Sequence, residues 1–169
     1  VVAPMINSLA DARLFAASMK YPPLGERSWG PNFAMARRGA GSMRGWLADA
    51  NAQTIAYAMI ETRQAFALLD DILAVPGIDG IFVGPSDLSI AWAGGATIDP
   101  SLDAMMPAIE EIGRKTRAAG KQAAIYVVDT ALAGRYVGWG YQLLALGGEH
   151  RLMQVGAETL AAAARSSHA

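Results

Sequence analysis

Short aliphatic runs alternate along the chain with longer stretches in which apolar residues recur every three or four positions. This alternation is typical of βα units and predicts an α/β fold with a parallel sheet. Five units can be counted along the chain. Their predicted strands are Val1–Met5, Thr54–Ile60, Gly80–Val83, Ala123–Val128 and Leu143–Leu146.

A helix is predicted after each strand. The predicted helices begin at Asn7 or Ser8, cover Thr62–Ala74, lie within Leu102–Ala119, follow Asp129 or Thr130, and cover Glu149–Ala164. The polar side chains at these starts can accept hydrogen bonds from the first helical turn. Pro107 is expected in the first turn of its helix or at a break in it, and Gly120 is expected to end that helix.

The segment from about Lys20 to Gly45 carries neither pattern and contains YPPLGERSWGPNF. It is predicted to be one long irregular loop. Loops of this length within a compact domain are usually functional, so we expect a lid or a subunit contact here.

The length of 169 residues predicts a single domain, 1–169. Five βα units cannot close an eight-stranded barrel, which typically needs about 250 residues. They could form an open sheet, or they could be the last five units of a (β/α)₈ barrel. Because the chain begins at Val1 directly on a strand-like run, we expect a truncated N-terminus.

The amino-acid composition excludes several classes of protein. The chain is 53% hydrophobic and 17% charged, with 14 Lys and Arg against 15 Asp and Glu. Neither a transmembrane run nor a basic stripe for nucleic acid is visible. The absence of cysteine excludes disulfides, thiolate catalysis and cysteine-based metal sites, and it fits a reducing cytoplasm. We therefore predict a cytoplasmic protein with neither a membrane nor a nucleic acid as its partner.

Two carboxylates follow predicted strands directly. Glu61 comes after TIAYAMI, and Asp87 comes after IFVGPS. On adjacent parallel strands, both could point into the same opening at the carboxyl ends of the strands. They would repel there unless one of them were protonated or a cation lay between them. Such oxygen ligands suit Mg²⁺ or Mn²⁺. Spacing alone leaves a second interpretation open, in which Glu61 starts a helix and Asp87 caps a turn.

The turn between that strand and Asp87 adds a candidate anion site. Gly84 allows close backbone approach, and Pro85 fixes the turn. The N–H groups of Ser86 and Asp87 could therefore hold a substrate carboxylate beside the metal.

Four ordered motifs, APMINSLADA, YPPLGERSWG, MIETRQAF and DGIFVGPSDLS, give the chain a family resemblance. It resembles the class II, metal-dependent pyruvate aldolases of the hydroxy-oxo-heptanedioate and dehydro-deoxy-glucarate aldolase type, which are related to the citrate lyase β subunit. The resemblance implies a (β/α)₈ barrel, of which this chain holds the last five units. It also implies a homo-oligomer, usually a hexamer in which partner subunits exchange the last helix.

The resemblance further implies an activity and a site. The activity is reversible aldol cleavage of a 4-hydroxy-2-oxo acid to pyruvate and an aldehyde through a metal-stabilised pyruvate enolate. Glu61 and Asp87 would hold a divalent ion, Mg²⁺ or Mn²⁺ with Co²⁺ as a further candidate, and the Gly84–Asp87 turn would bind the pyruvate carboxylate. Trp29 would line the aldehyde side, often in a neighbouring subunit, or would simply pack in an interface.

The catalytic residues stay unassigned, because the family's assisting His and Arg come from earlier strands that this chain lacks. His150 follows the last strand as GGEH and is interpreted as a first-turn helix residue, and Asn7 as a helix cap. A Schiff-base mechanism is disfavoured, because none of the three lysines, Lys20, Lys115 and Lys121, ends a predicted strand. Two alternatives remain: an acyl-CoA lyase of the citrate lyase type, and a non-catalytic fragment that binds metal or a partner subunit.

Overall fold

The structure is a computed structural model that describes residues 1–39 and 41–167. Its centre is one parallel sheet of five strands in the sequential order β1-β2-β3-β4-β5. The strands are β1 (Val2–Ala3), β2 (Tyr57–Ile60), β3 (Gly80–Val83), β4 (Gln122–Val127) and β5 (Leu143–Leu146). The five predicted strands are therefore all present.

Nine α-helices accompany the sheet in the described residues. They are α1 (Leu9–Met19), α2 (Asn32–Arg38), α3 (Met43–Gln53), α4 (Arg63–Ala67), α5 (Leu69–Leu73), α6 (Pro85–Trp92), α7 (Met106–Ala118), α8 (Ala133–Gly138) and α9 (Glu149–Ser166). Short 3₁₀ turns, Asp103–Met105 and Thr130–Leu132, precede α7 and α8.

The main hydrophobic core lies on one face of the sheet. Strand residues such as Ile60 and Ile125 pack there against Leu69 of α5 and Ile109 of α7, all of them almost completely buried. The opposite face, called the inner face here, carries a smaller cluster built on Tyr57, Phe82 and Ala124. Helices on one side of a sequentially ordered parallel sheet are the arrangement of a (β/α) barrel wall.

Several predicted boundaries and caps are confirmed. Ser8 caps α1 by accepting a hydrogen bond from Asp11 N at 3.1 Å. Pro107 lies in the first turn of α7, and Gly120, with φ of 71°, follows its end in the left-handed conformation that glycine tolerates. Asp129 caps the 3₁₀ turn before α8.

Five predictions need correction. The irregular segment 20–45 contains α2 and the start of α3, which Ser42 caps through Gly45 N. The helix expected over Thr62–Ala74 divides at Leu68, where ψ is 10°. The first strand ends at Ala3, and Asn7 does not cap α1. Finally, Pro85 opens a helix, α6, where a turn was expected; proline at the first helical position loses no intrahelical hydrogen bond.

The amino ends of the strands are held by a buried lysine. Lys20 is 1% exposed, and its Nζ lies 2.6 Å from Asp79 Oδ2 and 2.9 Å from the carbonyl oxygen of Asn51. Asp79 directly precedes β3 and also accepts a hydrogen bond from Ala56 N just before β2. This contact ties the end of α1 to the sheet at the amino ends of the strands. Among the described residues, no helix is long and apolar enough to cross a membrane.

Candidate functional site

Strand alternation places Glu61 on the inner face. Side chains alternate between the two faces of a strand, so Tyr57, Met59 and Glu61 share a side. Tyr57 and Met59 belong to the inner-face cluster with Phe82 of β3, and Met59 is in register with Phe82. Glu61 therefore stands one step beyond this apolar floor, at the carboxyl end of β2.

Gly84 leaves space for the Glu61 carboxylate because it has no side chain. A Cβ atom added at Gly84 would overlap Glu61 Oε1 and come within 3.0 Å of Met59 Cε. Any larger residue would thus push the carboxylate or Met59 aside. The close approach anticipated for this glycine is made to the Glu61 side chain.

The first turn of α6 brings Asp87 to the same edge. The helix starts at Pro85, and Leu88 N–H makes its first backbone bond, 3.0 Å to Gly84 O. The N–H groups of Ser86 and Asp87 precede that bond and have no intrahelical acceptor. Ser86 is half-buried and Asp87 is exposed, so this turn presents one carboxylate and two N–H donors at the mouth.

The two carboxylates differ in environment. Glu61 is 3% exposed. Burial raises the pKa of its carboxyl group; the Met5 N–H lowers that pKa, and the nearby negative charge of Asp87 raises it. A raised pKa in a buried carboxyl group beside a second carboxylate marks a site where a cation would relieve both desolvation and repulsion.

Met5 reaches the site through a strained backbone. Its φ is 54°, the one positive value found at a non-glycine residue in the described chain. This conformation points Met5 N–H at Glu61 Oε2, 2.8 Å away. Left-handed backbone at a non-glycine residue costs about 1–2 kcal/mol and is concentrated at functional sites. The peptide N–H thus orients the carboxylate at the expense of local stability.

Asn7 supports the same region in a role that was not predicted. Its Oδ1 accepts a 2.6 Å hydrogen bond from Thr62 Oγ1, and Thr62 caps α4 through Ala65 N at 3.1 Å. The residue following Glu61 is thereby tied to the segment that follows Met5.

A cavity of about 170 Å³ opens at this point. It is lined by Met59, Glu61, Phe82, Gly84, Pro85, Ser86, Asp87 and Tyr126. Five of the six residues predicted to form the site are therefore gathered around one cavity. Met59, Phe82 and Tyr126 were not predicted, although counting alternate positions along each strand would have assigned them to the inner face.

Trp29, the sixth predicted residue, lies elsewhere. Its ring contacts Tyr21, with centroids 5.6 Å apart, and it is 44% exposed. Tyr21 follows Lys20, which is bound to the amino ends of the strands. The structure therefore does not bring Trp29 to the Glu61 cavity of its own chain.

The lysines also lie away from the cavity. Lys20 and Lys121 are at the amino ends of the strands, and Lys121 Nζ donates to Ile78 O. Lys115 pairs with Asp70 and Glu111 on the helical surface. No described lysine reaches the mouth where Glu61 lies, in agreement with the argument against a Schiff base.

Two larger cavities, of about 540 and 400 Å³, adjoin α2 and α3. Asp49 is the one carboxylate among the residues that line them. Size therefore does not select the candidate site; the converging carboxylates and free N–H donors do.

Comparison with known proteins decides the family. The family model described as "HpcH/HpaI aldolase/citrate lyase" matches residues 1–154. The chain belongs to this family. This confirms the resemblance predicted from the four sequence motifs.

Similar curated proteins are aldolases by name. A hydroxypyruvate/pyruvate aldolase of Rhizorhabdus wittichii is 33% identical over 98% of this chain and 64% of its own length. A 4-hydroxy-2-oxo-heptane-1,7-dioate aldolase of Salmonella arizonae is 39% identical over 96% of this chain and 60% of its own. The chain thus spans less than two thirds of the length of these relatives.

A solved structure of an HpcH/HpaI aldolase from Desulfitobacterium hafniense is similar in fold. It superposes with a TM-score of 0.83 at 25% identity and covers 97% of this chain and 62% of its own. Together with the sequential parallel sheet, this confirms the predicted fold class, five consecutive βα units of a (β/α)₈ barrel.

Proposed function

We propose that the protein to which this chain belongs catalyses reversible aldol cleavage of a 4-hydroxy-2-oxo acid to pyruvate and an aldehyde. The observation that carries the proposal is the pairing of a buried carboxylate, Glu61, with Asp87 beside the free N–H donors of α6. The family assignment and the names of the relatives support it.

The residues fit a divalent cation. Glu61 and Asp87 supply carboxylate oxygens, and the described residues contain no cluster of three or more His, Cys, Asp or Glu that would enclose the ion. Mg²⁺ and Mn²⁺ suit such open oxygen sites, where water and substrate complete the coordination, and Co²⁺ is a further candidate. When bound, the ion would supply positive charge to the substrate's keto oxygen and offset the negative charge that develops there.

The chain's own groups then bind and orient the pyruvyl unit. The N–H groups of Ser86 and Asp87 point out of the amino end of α6 and can donate to the substrate carboxylate. Gly84 and Pro85 keep this turn close to Glu61. Met59 and Phe82 form an apolar floor that excludes water beneath the reacting carbons.

The proton transfers stay unassigned within the described residues. The His and Arg that the family resemblance expects on earlier strands remain a prediction. Trp29 is proposed to serve the aldehyde side of a neighbouring subunit's site, because it lies at the other edge of its own sheet. We also propose that the protein forms a homo-oligomer, a hexamer in which partner subunits exchange α9. Its proposed location is the cytoplasm.

Mn²⁺ titration followed by electron paramagnetic resonance tests the site, with and without oxalate as a mimic of the pyruvate enolate. We expect Mn²⁺ to bind, oxalate to perturb the bound signal, and Asp87→Ala to abolish binding. Asp49→Ala is the matched control, since it removes a carboxylate from the cavity of about 540 Å³ beside α3. Binding that Asp87→Ala leaves intact, or that Asp49→Ala removes, would refute the assignment.

A coupled assay of pyruvate release tests turnover. Cleavage of a 4-hydroxy-2-oxo acid that Asp87→Ala abolishes supports the aldolase. Mn²⁺ binding without cleavage, in a protein that includes the earlier strands, would instead favour the non-catalytic alternative. Cleavage confined to acyl-CoA substrates would favour the citrate lyase type.

A further inference from the structure

The backbone around Met5 is attached to the segment that carries Glu61 at three successive points. Ala3 pairs with β2 in the parallel register of the sheet. Met5 N–H donates to Glu61 Oε2 at 2.8 Å, and Asn7 Oδ1 accepts from Thr62 Oγ1 at 2.6 Å. The first and third contacts therefore bracket the one that reaches the carboxylate.

The left-handed backbone of Met5 needs support from its surroundings. A positive φ at a non-glycine residue persists only where the rest of the structure fixes it. The side chain of Met5 contributes little to this, because the residue is 51% exposed. Ile6 packs into the main core, and Asn7 adds a directional contact on the carboxyl side of Met5. These two neighbours together hold the strained conformation.

Thr62 is itself fixed at the other end of the Asn7 contact. Its Oγ1 accepts a hydrogen bond from Ala65 N at 3.1 Å and so caps α4. A hydroxyl group has one proton to donate, and the Thr62 proton goes to Asn7 Oδ1. Because Thr62 directly follows Glu61, a displacement of Asn7 from α4 would also disturb the bond between Met5 and Glu61.

That bond decides how the Glu61 carboxylate is oriented. Met5 N–H binds Oε2, whereas Oε1 lies beside Gly84, where Pro85 and Asp87 line the cavity. Hydrogen bonds to a metal-ligating side chain fix its orientation, and their complete loss typically lowers metal affinity by about 10- to 100-fold. A residue that keeps Met5 N–H in place therefore influences the affinity for the ion.

We propose that Asn7 is a positioning residue of the cation site. Through Thr62 it holds the Met5 N–H on Glu61, and so it sets the orientation of the carboxylate that binds the ion. The inference rests on the proposed function, because it takes Glu61 as a ligand of that ion. Neither Asn7 nor Thr62 lines the cavity, so both act through Glu61.

Two measurements on the chain test this. Amide hydrogen exchange followed by NMR reports whether Met5 N–H stays bonded in the metal-free protein, and Mn²⁺ titration by electron paramagnetic resonance reports the affinity of the site. In Asn7→Ala we expect Met5 N–H to exchange roughly three to ten times faster, as the loss of one supporting hydrogen bond permits. The Mn²⁺ affinity should fall by a similar factor.

Ser8→Ala is the matched control. Ser8 is the next residue along the chain and caps α1 through Asp11 N, so its loss destabilises the same part of the chain without touching Thr62. Urea denaturation should show that Asn7→Ala and Ser8→Ala are both destabilised. Met5 exchange and Mn²⁺ affinity should change in Asn7→Ala alone.

Variants at Thr62 check that Asn7 acts through this contact. Thr62→Ser keeps the hydroxyl group and should retain the wild-type exchange rate and Mn²⁺ affinity. Thr62→Val removes the hydroxyl group and should lower the affinity. Adding Asn7→Ala to Thr62→Val should then cause no further loss, because the partner of Asn7 is already gone.

The outcomes separate this proposal from the aldolase proposal. Wild-type Met5 exchange or wild-type Mn²⁺ affinity in Asn7→Ala overturns the positioning role and leaves the aldolase proposal standing. Equal losses of Mn²⁺ affinity in Asn7→Ala and Ser8→Ala also overturn it, because they would follow from stability alone. A folded wild-type chain that binds no Mn²⁺ overturns both proposals.

Discussion

The backbone N–H of Met5 donates a 2.8 Å hydrogen bond to Oε2 of Glu61, a residue 56 positions away. Met5 makes this bond from a left-handed conformation, φ 54°, and the residue is 51% exposed. The bond therefore depends on the backbone of Met5 more than on its side chain. It joins the segment after β1 to the buried carboxylate at the end of β2.

Met5→Gly should relieve the strain while keeping the N–H. Glycine adopts φ near 54° freely, and we expect the free energy of unfolding to change by between zero and about +1 kcal/mol, since the greater flexibility of glycine in the unfolded chain offsets part of the gain. Mn²⁺ affinity should remain unchanged. Urea denaturation and Mn²⁺ titration check the two expectations. A tenfold loss of Mn²⁺ affinity would show that the methionine side chain, and not the N–H, matters.

Glu61→Gln should stabilise the metal-free protein at neutral pH. Burial raises the pKa of Glu61 from 4.5, so the folded protein retains a proton that the unfolded chain loses as the pH rises above about 4.5. The free energy of unfolding therefore falls as the pH rises through that window. Glutamine removes this loss and can still accept the Met5 N–H bond.

Thermal unfolding in EDTA at several pH values measures this effect. The Tm of Glu61→Gln should exceed that of the wild type at pH 7, and the two should converge near pH 4, where the glutamate is protonated in both states. The same variant should lose Mn²⁺ binding. A variant that is less stable at pH 7 would contradict the expected cost of ionising the buried carboxyl group.

Gly84→Ala should damage both stability and metal binding. Its Cβ would overlap Glu61 Oε1 and crowd Met59. Overpacking of this kind costs about 1–3 kcal/mol, and displacement of the carboxylate should weaken Mn²⁺ binding. Gly134→Ala in α8 is the control, because a Cβ there meets nothing within 4 Å, and its stability should be unchanged or slightly higher. Full Mn²⁺ affinity in Gly84→Ala would show that the close approach is not needed.

Lys20→Met should be destabilising. Lys20 Nζ donates to Asp79 and to the carbonyl oxygens of Asn51 and Thr54 from a site that is 1% exposed. Losing one partner of a fully buried pair costs about 3–5 kcal/mol. Because Asp79 is 35% exposed, we expect a loss below that range and above the cost of an exposed pair. Lys115→Met removes an exposed pair instead and should cost less than about 1 kcal/mol. Urea denaturation compares the two, and similar losses would contradict the structural role of Lys20.

The sheet could be predicted from the sequence because each strand is a short aliphatic run between turn residues. Helix α6 was missed because Gly84 and Pro85 read as a turn, although proline is equally suited to the first position of a helix. Helices α2 and α3 were missed because Gly39, Gly41 and Gly45 interrupt the apolar pattern. Their formation depends on local caps and tertiary contacts that a periodicity argument does not weigh.

The acidic pair could be predicted for a related reason: the carboxyl ends of parallel strands meet at one edge. The part played by Met5 could not, because a positive φ at methionine has no signature in composition or spacing. The position of Tyr126 on the inner face could have been predicted, since it lies two residues after Ala124 on the same face of β4. The location of Trp29 could not be predicted, because nothing in the sequence indicates whether it lies near the amino or the carboxyl ends of the strands.

The residues proposed to hold the cation and its ligand follow two neighbouring strands of the sheet. Glu61 follows β2, whereas Gly84 and Asp87 follow β3, the next strand of the sheet. The segment after β5, which includes the first turn of α9, supplies none of the residues proposed to hold the cation. Variants with replaced residues 147–151 should therefore keep the Mn²⁺ affinity of the wild type.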